Sequence, residues 1–73
     1  MYKEAFHERI KQARLDIGYT QREVAKETGI SQPIIAHIEK GNREPSLENL
    51  GKLIDFYGID ANWILGTGKK KNR

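Results

Sequence analysis

The most constraining feature of the sequence is the run from Thr20 to Glu39, whose start and stop signals leave room for two short helices and one tight turn. Thr20 and Glu23 make a capping-box pair. The threonine hydroxyl accepts from the amide of Glu23, and the glutamate carboxylate reaches back to the amide of Thr20. Val24 and Ala25 face inward, and Gly29 ends this helix after two turns. Ser31 is the N-cap candidate for the next helix. Pro33 falls in its first turn, where a missing N–H breaks no helical bond. That helix runs to about Lys40.

The flanking segments read the same way. Phe6, Ile10, Ala13 and Ile17 fall at i, i+4, i+7 and i+11, one face of a helix from about Lys3 to Asp16. Gly18 stops it as a left-handed cap. Residues Gly41 to Pro45 are a breaker-rich loop. Ser46 caps a fourth helix with Leu47, Leu50, Leu53, Ile54 and Tyr57 as its buried stripe, and Gly58 ends it. Asp60 caps a short fifth helix from Ala61 to Leu65, closed by Gly66. Nothing alternates with the period of a strand, and nothing repeats. The fold expected is all-α, with five helices.

Bulk properties narrow the class. A chain of 73 residues is one domain that buries only about 60–65% of its unfolded surface. With no cysteine, disulfides and thiolate metal sites are excluded, which fits a reducing cytoplasm. No apolar run approaches the roughly 18–20 residues of a membrane span. The start, Met1 to Glu4, lacks the apolar core of a signal peptide. The net charge is +3, but Lys69, Lys70, Lys71 and Arg73 carry the excess; without them the basic count falls from 13 to 9, against 10 acids. Residues 1–68 are expected to be the folded domain. Residues 69–73 are expected to be a disordered basic tail, a solvated end or an arm touching phosphates.

Stepping 100° per residue from Ser31 gathers Ile34, Ile35 and Ile38 within a third of the third helix's wheel. These isoleucines are expected to be buried, which turns the opposite surface outward. Its small and hydrogen-bonding side chains suit a DNA major groove. Gln32 can bond bidentately to adenine, Ala36 can touch a thymine methyl, and His37 can donate or accept according to its tautomer. Pro33 gives close apolar contact. Gln21, Arg22, Lys40, Asn42 and Arg43 are expected to grip phosphates beside the groove, fixing register without reading sequence.

The same residues carry a resemblance. Gln21, Ala25, Gly29, Ile35 and Ile38, with Ile-Glu-Lys-Gly-Asn-Arg-Glu-Pro-Ser-Leu at 38–47 and Asn-Trp-Ile-Leu-Gly-Thr-Gly at 62–68, resemble the helix-turn-helix of phage repressor and Cro-like regulators, the Xre family. The resemblance covers roughly residues 6–68. It implies a compact five-helix lambda-repressor-like DNA-binding domain, with the helix-turn-helix at helices two and three. It also implies a structural salt bridge between Arg14 and Glu39, a phosphate contact at Gln21, and base readers at Gln32, Pro33, Ala36 and His37. Pro33 and Ala36 depart from the polar residues often found at those positions, so shape readout gains weight. In longer repressors the passage at 62–68 often precedes a linker.

Other chemistry finds no support. His7 and His37 lie on different helices, without a second metal ligand at helical spacing. No nucleophile is paired with a base, and no glycine-rich phosphate loop occurs. No enzyme, metal, cofactor or small-molecule ligand is expected. Trp63, with Ile64 and Leu65, is expected to pack the fifth helix onto the first near Phe6. Phe56 is left either as a dimer contact or as a residue under the fifth helix. The expected function is a cytoplasmic, nucleoid-associated regulator, a repressor that binds an inverted repeat of double-stranded DNA as a homodimer, with no membrane partner. An antitoxin or restriction-modification controller of the same fold, or a protein-interaction module without DNA binding, stands as the alternative.

Overall fold

The computed structural model describes residues 2–66 and residue 71, with side chains from residue 6 onward. Five helices follow one another: α1 (Tyr2–Asp16), α2 (Gln21–Thr28), α3 (Gln32–Lys40), α4 (Leu47–Tyr57) and α5 (Ala61–Ile64). No strand occurs among the described residues. Helix α3 packs against both α1 and α2, α5 lies on α1, and α2 touches α4.

Local chemistry sets the helix ends. Thr20 accepts from the amide of Glu23 at 3.1 Å, and the Glu23 carboxylate accepts from the amide of Thr20 at 2.8 Å, so both halves of the capping box are formed. The hydroxyl of Ser31 accepts from Ile34 N at 3.4 Å, and that of Ser46 from Asn49 N at 3.1 Å. Asp60 caps α5 by accepting from Asn62 N and Trp63 N. The α2–α3 turn requires a left-handed residue, and Gly29 supplies it at φ 78°.

The core comprises Phe6, Ile10 and Ala13 of α1, Val24, Ile35, Ile38, Leu53, Tyr57 and Ile64, together with Ile30 and Ile59. The last two sit in turns, each directly after a stop glycine. An apolar residue there commonly folds back onto the last turn of the helix it follows. Burying a side chain of this size stabilises the fold by about 1.5–3 kcal/mol.

Several expectations are corrected. Helix α1 begins at Tyr2, and it ends at Asp16, so Ile17 leaves the helical rotation and is 39% exposed. Leu47 is no part of the buried stripe. As the first residue of α4 it overhangs the end of the core and is 86% exposed. Ile34, Leu50 and Ile54 are half-buried against the core, because they sit where its edge meets solvent, whereas Ala25 faces inward and packs on the core. Helix α5 stops at Ile64, with Leu65 as its cap.

Trp63 is half-buried. Arg9 donates to its carbonyl and lies 5.1 Å from its ring centroid, while the core side chain of α5 is Ile64. Phe56 is half-buried against the core and packs on Tyr19 of the α1–α2 turn. Its ring meets Tyr19 edge-on at 5.3 Å and Tyr57 at 5.8 Å. The basic tail lies outside the described residues except for Lys71. The Lys71 carbonyl accepts from Asp60 N at 2.7 Å, and its ammonium group pairs with Asp16 and sits 5.7 Å from the Trp63 ring.

Candidate nucleic-acid interface

The outward surface of α3 follows from what its inward surface must do. Ile35 and Ile38 are fully buried and Ile34 is half-buried, so the rotation of the helix delivers the other rows to solvent. One row is Gln32, Ala36 and Lys40, and the next is Pro33 and His37. Of these only Ala36 is half-buried; the rest are exposed. Nine residues make a rod about 13 Å long, matching about four base steps of 3.4 Å. Arg22 on α2 and Asn42 and Arg43 in the loop after α3 are also exposed. Glu23 and Glu27 on α2 and Glu44 in the loop lie on the surface as well. The positive field is therefore local to particular side chains, not a broad patch.

Helix geometry adds backbone donors at two places. Caps and first-turn bonds use the amides of Glu23 and Val24 in α2 and of Asn49 and Leu50 in α4. The amides of Gln21 and Arg22, and of Leu47 and Glu48, have no partner inside their helices. Both ends carry the positive pole of the helix dipole. At α3, Pro33 has no N–H and Ser31 takes Ile34 N, so the amide of Gln32 alone lacks a partner within that helix. The phosphate-binding capacity of the backbone thus lies on the flanks of α3 rather than on α3 itself. Sequence reading placed the α4 start correctly at its Ser46 cap but assigned no phosphate contact to it.

Beneath this surface lies a buried polar network. Arg14 grips the Glu39 carboxylate with two bonds, Nε to Oε2 at 2.8 Å and Nη2 to Oε1 at 2.9 Å. The two side chains are only 9% and 4% exposed. The remaining arm of the guanidinium, Nη1, donates to the Tyr19 carbonyl at 2.8 Å and so fastens the α1–α2 turn. Hydrogen bonding to Glu39, ahead of an opposing desolvation effect, holds the Arg14 pKa above its ordinary value. Removing one partner of such a pair strands a buried charge and costs about 3–5 kcal/mol.

The network takes in one residue assigned above to phosphate. Gln21 Nε2 donates to Glu39 Oε1 at 3.0 Å, so this half-buried side chain is not free on the surface. The link depends on how α2 crosses α3, which spacing along the chain does not reveal. Tyr57 approaches the same pair. Burial, then the Glu39 charge, raise its pKa well above the ordinary phenol value, and its hydroxyl has no hydrogen-bond partner among the described residues. His7 Nδ1 lies 3.2 Å from the Glu39 carbonyl at the α3 C-terminus, far in role from the exposed His37. No group of three or more potential metal ligands occurs among the described residues.

Comparison with known proteins bears on this geometry. A helix-turn-helix family model matches residues 10–64. The chain belongs to the Cro/C1-type helix-turn-helix family. Members of this Xre family are DNA-binding transcription regulators and not enzymes. The HTH-type transcriptional regulator ImmR of Bacillus subtilis (strain 168) is 35% identical over 66 residues, 88% of this chain and 52% of its own. A provisionally named HTH-type transcriptional regulatory protein of Saccharolobus islandicus (strain L.S.2.15 / Lassen #1) is 43% identical over 66 residues, 85% of this chain and 21% of its own. One from Saccharolobus solfataricus is 43% identical over 51 residues, 70% of this chain and 16% of its own. The chain thus spans about half the length, or less, of these relatives. No solved structure matches significantly. No described helix is long and apolar enough to cross a membrane.

Proposed function

We propose that this domain is the sequence-reading unit of a transcriptional repressor that occupies an inverted-repeat operator as a two-fold dimer. The carrying observation is the solvent-facing pair of rows on α3, backed by buried Ile35 and Ile38. Gln32 and His37 hydrogen-bond to base edges, while Pro33 and Ala36 press apolar surface against them. Arg22, Lys40, Asn42, Arg43 and the free amides at the starts of α2 and α4 hold phosphates on either side. Leu47, exposed at the start of α4, lies against the sugar edge of the backbone.

Each monomer reads one half-site, and the half-sites lie about 34–36 Å apart, one helical turn. Bound over a promoter, the dimer blocks polymerase. The Bacillus subtilis relative, by its name a transcriptional regulator, supports this class of role. Such a regulator works in the cytoplasm, on the nucleoid while bound.

Selection of duplexes from a random library tests the reading. Recovery of a symmetric site with that spacing, retained less as salt rises, is the expected result. Retention of no duplex, even at low salt, would turn the domain into a protein-interaction module. Recovery of a single asymmetric half-site would remove the dimer.

A further inference from the structure

We infer that Glu39 is a positioning residue for DNA binding, acting through Gln21 on one backbone phosphate. The inference rests on the DNA-binding reading above and goes further, because it gives a buried ion pair a part in recognition. Two observations and two properties of the amide and carboxylate groups carry it.

The Glu39 carboxylate is buried and accepts from three donors on its two oxygens: two from Arg14 and one from Gln21. Gln21 is the first residue of α2, the end at which the amides of Gln21 and Arg22 have no partner within the helix. An amide nitrogen carries two hydrogens. Glu39 takes one of them, which leaves the second for an anion. Finally, the carboxylate decides which end of the amide faces inward. A carboxylate only accepts, so Nε2 must face it. Without it the amide can turn, and its carbonyl oxygen would face a phosphate and repel it.

Arg14 completes the device. Its Nη1 holds the Tyr19 carbonyl one residue before the α2 cap, so the same guanidinium that orients Glu39 also fixes the backbone entering α2. The start of α2 is located from both sides by one ion pair.

The test uses the full chain and its library-selected operator, with single phosphates replaced in turn by uncharged methylphosphonates. At the phosphate facing the α2 start, neutralisation should weaken wild-type binding about tenfold, the scale of one charge-assisted hydrogen bond. The paired variant Arg14→Met/Glu39→Met swaps the ion pair for apolar side chains of similar size, which a fold often tolerates. In that variant the same replacement should change binding less than about twofold, while other phosphates keep their effect and base preference stays the same. A role confined to folding would instead lower Tm and leave the phosphate profile as in the wild type, which overturns the inference.

Should the paired variant not fold, NMR of the wild type decides. The two side-chain amide protons of Gln21 give separate signals. On adding operator, the one held by Glu39 should stay in place and the other should shift. The shift should be absent with the methylphosphonate duplex. Release of both protons from Glu39 on binding would overturn the proposal. If wild-type protein retains no duplex at all, the DNA-binding reading itself fails. If it binds but its profile ignores this phosphate, only the positioning role fails.

Discussion

Gln32 illustrates what a single exposed side chain contributes. It is the first residue of α3, uncommitted to any cap, and its neighbour Pro33 offers no competing donor. Gln32→Ala should remove discrimination at one base position, worth about 1–3 kcal/mol for a bidentate pair. Binding to a panel of single-base operator variants measures it; uniform weakening across the panel would deny Gln32 a reading role. Tyr57 makes the opposite case. Its hydroxyl is buried without a partner, so Tyr57→Phe deletes an uncompensated polar group. The variant should melt at the same temperature as wild type or higher. A lower Tm would mean the hydroxyl is satisfied in solution. Individual roles were unevenly legible in the sequence. The outward placement of Gln32 and His37 followed from three isoleucines on a wheel. The commitment of Gln21 did not, because it arises where two helices cross.

Helix ends in this protein are set by short-range chemistry, which is why the five elements could be read from the chain. A cap residue and its partner lie within three positions of each other, so no tertiary knowledge is needed. Burial is another matter. Leu47 satisfied the spacing of the α4 stripe, yet the core has no atoms at that end to receive it. Ile30 and Ile59 broke every helical period and are buried all the same, as turn residues folded back on their helices. The capping box of α2 predicts a pH signature. Hydrogen bonds from Thr20 hold the Glu23 carboxylate below its ordinary value of 4.5. The stabilisation is fully present above about that pH and fades as the pH falls through the lowered folded value. Glu23→Ala should therefore lower Tm at neutral pH, with the gap to wild type closing in acid. A gap of constant size from pH 7 to pH 3 would contradict it.

The whole molecule is nearly neutral apart from its tail, so its DNA affinity must depend on a few placed cations. If Arg22, Lys40 and Arg43 each neutralise a phosphate in both halves of a dimer, six counterions leave. The slope of log affinity against log salt is then about −5. Titrations across a salt series measure it. A slope of about −11 would enlist the three tail lysines of each chain as well, and one of about −2 would mean a monomer with incomplete contacts. Architecture at this scale was well announced by the sequence, since alternating helices and stops admit few packings. Quaternary structure was not: Phe56, a candidate dimer contact, already spends much of its ring on Tyr19 and Tyr57 within one chain.

The junction at Gly29 has a consequence for synthesis. Its φ of 78° lies in the half of conformational space that mirror-image amino acids prefer; the Cβ of an L residue there would meet nothing within 4 Å, so such a residue is disfavoured by the backbone and not by a clash. A chain of 73 residues can be assembled chemically. D-alanine at position 29 should stiffen the hinge between α2 and α3 by restricting the unfolded chain, stabilising the domain by about 0.4–1 kcal/mol. Its L counterpart should destabilise it by about 1–2 kcal/mol. Calorimetry on the two enantiomeric variants would read handedness as a difference in heat tolerance.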